Sequence, residues 1–157
     1  MKRFSLLLIF VFLCSCKQDK KNSIKPIEIA FKKEAELVFL NDNDTIQSLD
    51  VELAETDYEQ QTGLMHRSKM GMHQGMLFMY KDEKPRPTFY MKNTKLPLDL
   101  IYINANKQVV EINKNAKPFD ETPIRAEQPA KYVLEVNAGF VDKYQINEGS
   151  QVIFKIL

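Results

Sequence analysis

Cysteine is scarce in this chain of 157 residues, which contains only Cys14 and Cys16. Both lie near the amino terminus, so the rest of the chain has no thiol. Disulfide bonds, thiol nucleophiles and cysteine-ligated zinc or iron are therefore excluded from the folded part. We expect side-chain packing to hold this part together.

A hydrophobic run long enough to cross a membrane is also missing. The apolar stretch 4–13 is about half the ~20 residues that a spanning helix requires. It follows a basic pair at 2–3 and ends in the tetrapeptide Leu-Cys-Ser-Cys at 13–16, which is typical of a bacterial lipobox. The pattern predicts a lipoprotein signal peptide over 1–15 and lipidation of Cys16, and an ordinary secretory signal cleaved elsewhere is the alternative.

The predicted mature chain begins at Cys16 with a polar, lysine-rich stretch. Residues 16–25 lack aromatic side chains and meet Pro26, so we expect a flexible, lipid-tethered linker there. Two acyl chains would anchor the protein stably to a membrane of the cell envelope. Lys17 is not the aspartate that marks inner-membrane retention in enterobacteria, which favours an outer membrane, with a periplasmic or surface face. Residues 26–157 are predicted to form a single domain.

Charge of one sign is not in excess either. Removal of 1–15 would leave a net charge of about −1, whereas a nucleic-acid binder normally has a basic face, so we expect no nucleic-acid partner. The sequence also lacks a serine elbow and the HExxH, P-loop and GxGxxG motifs. Only His66 and His73 offer imidazole for acid-base chemistry, and we expect no cofactor.

Short apolar segments with a period of two recur along the chain and are bounded by turn residues, which is typical of β-strands. Strands are predicted over 36–40, 46–54, 76–80, 88–91, 100–103, 108–112, 132–136 and 151–156. Segments rich in Asn and Asp at 41–44 and 104–107 predict hairpin loops. The predicted fold class is mainly β (α+β), a small β-barrel-like or sandwich domain.

One or two short helices are predicted between the strands. Thr56 and Glu59 have the spacing of a capping box, which marks a helix start, and Gly63 is a candidate for the C-terminal stop. The second segment, 138–144, contains Gly139, and glycine in a helix interior costs about 1 kcal/mol relative to alanine. A turn is therefore the alternative for this segment.

Four sequence blocks, taken in order, carry a family resemblance. They are Gly63-Leu64-Met65-His66-Arg67, Gly75-Met76-Leu77-Phe78, Phe89-Tyr90-Met91-Lys92-Asn93-Thr94 with Leu96-Pro97-Leu98-Asp99, and Leu134-Glu135-Val136-Asn137-Ala138-Gly139. Over about residues 50–157 the chain resembles the uncharacterised family called domain of unknown function 192. Tyr90 departs from the family pattern, in which tryptophan is more frequent. The resemblance implies a compact β-rich domain, frequently secreted or lipid-anchored, with no agreed activity.

A noncatalytic binding site for a small molecule, glycan or envelope partner is predicted around the third block. The predicted site residues are Arg67, Tyr90, Lys92, Asn93, Asp99 and Glu135. Arg67 would bind an anionic or hydroxylated group through its planar guanidinium, and Tyr90 would offer a stacking face. The alternative is structural: Asn93 would close a turn, and Asp99 would accept from loop amides or pair with Arg67.

A hydrolase is the first alternative function. Asp99 and Glu135 could perform acid-base catalysis if the fold held their carboxyl groups about 5 to 10 Å apart in environments that separate their pKa values. A cleft that contains either carboxyl with a strongly shifted pKa would favour this alternative.

Copper binding is the second alternative. Five methionines and two histidines fall between positions 65 and 79, and soft sulfur with imidazole suits copper(I). Met70, Met72 and His73 on the loop 68–74 would be the ligands. The competing explanation is that these methionines fill the core as flexible apolar side chains, and no metal ligand is assigned.

Overall fold

The structure, a computed structural model, describes residues 28–41 and 44–157. The predicted signal peptide, the lipidation site Cys16 and the predicted tether lie outside the described residues, as does the loop tip 42–43. Within the described ranges, no helix is long and apolar enough to span a bilayer.

Strands dominate the described residues. In chain order the elements are β1 (Ala35–Asn41), β2 (Asp44–Ala54), α1 (Asp57–Thr62), β3 (Gln74–Lys84), β4 (Leu98–Ile103), β5 (Val109–Ala116), β6 (Ala130–Asn137), α2 (Phe140–Lys143) and β7 (Gln151–Ile156). The predicted fold class, mainly β with two short helices, is confirmed. The predicted strand at 88–91 is wrong, because only Phe89 pairs there, in an isolated bridge with Ile124. Pro85 and Pro87 precede it, and proline lacks the amide that a strand ladder needs.

A single sheet contains the seven strands in the order β5-β4-β6-β3-β2-β1-β7. β2 and β3 pair in parallel, and the other neighbours are antiparallel. The sheet curls until its outer strands meet at one end, where Gln108 and Gln151 form a bridge. The Val109 amide also donates to the Ser150 carbonyl at 2.9 Å. The result is a half-barrel, in agreement with the predicted barrel-like single domain.

Each face of the curled sheet buries its own apolar cluster. The first cluster includes Phe140 and Val141 of α2, and we call this side the α2 face. The second includes Leu64, which follows α1 in the connection between β2 and β3, and we call this side the crossover face. Parallel strands require such a long connection, so the chain between β2 and β3 is available to cover the sheet.

The first helix starts and stops where the local sequence predicts, whereas the second is shorter than the predicted segment 138–144. The Thr56 hydroxyl accepts from the Glu59 amide at 3.2 Å, and the Glu59 carboxylate accepts from the Thr56 amide at 2.9 Å, so the capping box is present. Gly63 ends α1 with a φ of 47°, a backbone conformation that favours glycine. Gly139 precedes α2 with a φ of 84°, so it lies outside the helix interior that it would destabilise.

Candidate functional site

A pocket of about 340 Å³ opens on the crossover face. The connection that contains α1 supplies one group of its lining residues, and the segment 87–94 supplies a second. β3 and β6, which pair with each other in the sheet, supply the floor through Phe78 and Glu135. Strand alternation explains this arrangement, because successive side chains of β6 point to opposite faces.

Glu135 is the central polar residue of the pocket floor. Its neighbours across the ladder are Met76 of β3 and Leu100 of β4, both buried, and Glu135 itself is 7% exposed. Burial raises the pKa of its carboxyl to about 8, and no hydrogen bond or ion pair in the described residues offsets that effect. The pocket thus ends at a buried carboxyl group without a protein partner among those residues.

Two glycines shape the surroundings of Glu135. A Cβ at Gly63 would lie 3.0 Å from Cζ of Phe78 and 3.7 Å from Oε2 of Glu135, so glycine leaves this part of the pocket open. A Cβ at Gly75 would lie 2.7 Å from the backbone oxygen of Glu135. Glycine at 75 therefore permits the close approach of β3 to β6.

Four aromatic rings contribute to the pocket lining: Phe78, Tyr80, Phe89 and Tyr90. Phe78 and Phe89 meet edge to face, with centroids 5.2 Å apart. The Arg86 guanidinium lies 4.2 Å from the centroid of Tyr80. Burial raises the pKa of Tyr80 to about 12, so this hydroxyl stays neutral near neutral pH. Tyr90 is partly exposed.

The charges that line the pocket are all acidic. Asp57 of α1 and Glu135 are its ionisable carboxyl groups, and its lining residues include no lysine, arginine or histidine among the described residues. Thr94, a buried residue, adds a hydroxyl group. The site therefore combines aromatic surface with two acidic groups and no basic side chain in its lining.

Two of the six predicted site residues, Tyr90 and Glu135, line this pocket. Arg67, Lys92, Asn93 and Asp99 do not line it, so the predicted convergence of these four with Glu135 on one mouth is not observed.

Arg67 and Asp99 instead make structural contacts. Arg67 forms an ion pair with Glu52 of β2, in which both side chains are nearly buried. The Asp99 carboxylate accepts from the Asn115 amide at 2.9 Å and from the Val141 amide at 3.2 Å. Asp99 thus accepts from backbone amides, as the structural alternative predicts, although these amides belong to β5 and α2 and not to a loop. The alternative pairing of Asp99 with Arg67 is not observed.

Asn93 and Lys92 occupy a turn. Asn93 has a φ of 57°, a conformation that asparagine tolerates better than most residues. Its carbonyl accepts from the His66 amide at 2.9 Å, which ties this turn to the end of the crossover. Lys92 is exposed. These observations favour the structural interpretation of this dipeptide.

The three candidate copper ligands have separate environments. Met70 packs against the cluster on the crossover face, Met72 is 63% exposed, and Nε2 of His73 lies 2.9 Å from the hydroxyl of Tyr144. No group of three or more His, Cys, Asp or Glu side chains within 28–41 and 44–157 could hold a metal ion. Met70 and His73 thus already contact protein neighbours, whereas Met72 is free of the core.

Sequence reasoning missed several residues that form the pocket. The sequence places Phe78, Phe89 and Tyr80 in predicted strands, where an aromatic residue normally indicates the core. Gly63 was assigned only to a helix stop. The signal in the sequence is that Gly63, Phe78 and Phe89 belong to the four blocks that carry the family resemblance, as do Glu135 and Tyr90.

Comparison with known proteins identifies the family. The sequence profile of DUF192, described as an uncharacterised ACR, matches residues 38–154 of this chain. The chain belongs to the DUF192 family. No curated protein matches this DUF192 chain at a significant level.

Two solved structures are similar to this DUF192 domain. A protein of unknown function from Novosphingobium aromaticivorans is 36% identical, with a TM-score of 0.70, and the match covers 75% of this chain and 83% of that one. A suggested transcription regulator from Sinorhizobium meliloti is 35% identical, with a TM-score of 0.73, and the match covers 81% of this chain and 97% of that one. These similarities support the fold of the DUF192 domain and leave its activity open.

Proposed function

We propose that this DUF192 protein is a lipid-anchored protein of the cell envelope whose domain binds a small molecule, without catalysis, in the pocket above Glu135. The observation that carries the proposal is the buried carboxyl on the pocket floor, for which the described residues provide no partner. Burial of a polar group without a hydrogen bond is unfavourable. A ligand that reaches the floor would supply a hydrogen bond that the described residues do not.

The size of the pocket favours a small molecule over a glycan or a protein partner. Its volume of about 340 Å³ lies at the lower end of the range for small-molecule sites, which are mostly apolar and carry a few polar groups. The four aromatic residues and the single carboxyl on the floor follow this pattern.

The hydrolase alternative has one observation in its favour and one against it. Glu135 lies in a cleft with a raised pKa, as a general acid would require. Asp99, the predicted second carboxylate, is fully buried, accepts from two backbone amides and does not line the pocket. Without that partner carboxylate, binding is the better-supported function.

A thermal-shift screen of the full-length protein against metabolites tests the binding function. A ligand at about a hundred times its dissociation constant should add about 2.7 kcal/mol to the free energy of unfolding. We expect the shift to shrink in Tyr90→Ala and Glu135→Gln, which alter the lining, and to persist in Lys92→Ala, an exposed residue outside it. An equal shift in all four proteins, or no shift with any metabolite, would contradict binding in this pocket.

The anchor is tested by metabolic labelling with a tagged palmitate in bacterial cells that express the protein. We expect the wild-type protein to incorporate the label and to sediment with membranes, because Cys16 occupies the acceptor position of the lipobox. Cys16→Ser should lose both properties. Cys14→Ser is the matched control, since it changes a neighbouring cysteine and leaves the acceptor intact. Label in the Cys16→Ser protein would overturn the proposed anchor.

A further inference from the structure

We infer that the pocket above Glu135 recognises an organic ammonium ion: a positively charged nitrogen whose carbon substituents contact the aromatic lining while the charge pairs with the carboxyl on the floor. This inference rests on the proposed binding function and adds to it the chemical class of the ligand. The two are separable by experiment, because a pocket that binds only neutral molecules would keep the function and exclude this class.

The first argument is charge. Glu135 is buried and belongs to no ion pair within the described residues, and the lining provides no protein cation that could neutralise it. Buried carboxylates in proteins are normally paired. A cationic ligand is therefore the partner that completes the ionised form of Glu135, whereas an anionic ligand would find no lysine, arginine or histidine in the lining.

The second argument is the aromatic lining. Phe78, Tyr80, Phe89 and Tyr90 surround the same space as Glu135. Aromatic rings attract cations through their quadrupoles, and several rings together are a known means of recognising ammonium groups. Tyr80 already contacts one cation in this way, since Arg86 lies 4.2 Å from its ring centroid. Neutral apolar ligands would gain from the same rings, but they would leave the carboxyl without a partner.

The third argument links binding to a proton. The pKa of Glu135 is raised to about 8 by burial, so at neutral pH the free pocket holds mainly the protonated acid. An ammonium ion binds the carboxylate form and must displace that proton. Affinity should therefore rise with pH up to about 8 and then level off.

The other titratable or charged groups near Glu135 do not reproduce this dependence. Tyr80 of β3 and Tyr102 of β4 are two of these groups, and burial raises the pKa of both phenols. From α1 the group is Asp57, which is exposed. Arg86 contacts Tyr80 from the segment after β3 and stays cationic throughout. Glu135 is thus the group expected to titrate between about pH 6 and about pH 9.

Isothermal titration of the full-length protein with choline provides the test, because its quaternary nitrogen does not titrate. The neutral control is its carbon isostere, in which carbon replaces the nitrogen, and ethanolamine represents primary ammonium ions. We expect choline or ethanolamine to bind at least about tenfold more tightly than the isostere. For the ammonium ion that binds, we expect release of nearly one proton at about pH 7, measured in buffers of different ionisation enthalpy. If choline binds, its affinity should fall about 50- to 100-fold from about pH 9 to about pH 6.

Two variants complete the design. Glu135→Gln keeps the shape of the side chain, and it should weaken ammonium binding at least about tenfold at about pH 9 and remove the pH dependence. Glu148 is an exposed residue outside the pocket, so the Glu148→Gln variant should bind the ammonium ion as the wild type does. Equal affinity for choline and its isostere, no binding of either ammonium ion, or an unchanged pH dependence in Glu135→Gln would overturn the inference. A metabolite found in the thermal-shift screen would in that case still support the binding function.

Discussion

Replacing Glu135 with glutamine should raise the melting temperature of the protein by about 10 °C at about pH 7 and change it little at about pH 4. The folded-state pKa of about 8 lies above the ordinary glutamate value of 4.5. Between these two values the folded protein holds a proton that the unfolded chain has released. Stability therefore falls as pH rises through this window, by about 1.4 kcal/mol per pH unit, and the loss reaches about 3 kcal/mol at pH 7.

Glutamine carries no ionisable proton, so the variant should lack this loss. Differential scanning calorimetry of both proteins across the pH range measures the effect, with Glu148→Gln as a control for removal of an exposed carboxyl. The melting temperatures of wild type and Glu135→Gln should converge as the pH falls below the ordinary glutamate value, where both states are protonated. A constant difference between them at every pH would show that Glu135 does not titrate as the structure implies.

Replacing Arg67 with methionine should destabilise the fold by about 3 to 5 kcal/mol. The Arg67 and Glu52 side chains are 10% and 6% exposed, and the other oxygen of Glu52 accepts from the Lys32 amide at 2.7 Å. Removal of the guanidinium would leave the Glu52 carboxylate buried without its cation. The double variant Glu52→Gln with Arg67→Met should recover most of the loss, because glutamine is neutral and still accepts from the Lys32 amide.

Urea unfolding of the wild type, the two single variants and the double variant gives the coupling energy. Lys114→Met removes the cation of an exposed pair with Asp142 and should change stability by less than about 1 kcal/mol, so it serves as the control. Arg67→Met should still bind pocket ligands, because Arg67 is not among the lining residues. A double variant as unstable as Arg67→Met would contradict a buried pair.

The elements of this fold that the sequence predicts correctly depend on patterns among residues close together in the chain. The capping box of Thr56 and Glu59 follows from side chains three positions apart, and the loop at 104–107 follows from its turn residues; there the Lys107 amide donates to the Asn104 carbonyl at 3.0 Å. The prediction at 88–91 failed because an apolar alternation occurs in a segment that packs on the sheet without joining it. Periodicity records which side chains are buried and does not record whether the backbone has a partner strand.

The site was harder to predict because its groups are separated along the chain. Glu135 and Tyr90 were both predicted, but nothing in the sequence indicates that Gly63 would leave space beside Glu135. Arg67 is predicted to bind a ligand through its guanidinium, whereas the fold places it against Glu52 of β2, a contact that the sequence does not indicate. Long-range pairing of this kind is what the sequence alone cannot provide.

The contact between the two outer strands affects the tendency of the molecule to aggregate. An open sheet presents unpaired backbone amides and carbonyls along each edge strand. These groups can pair with another chain and begin aggregation. Here the edges of β5 and β7 meet in the bridge between Gln108 and Gln151. The backbone at that end of each strand is therefore paired within the same molecule. Lys114 and Lys155 then place charge on the remainder of these two strands, which discourages pairing between molecules at high concentration.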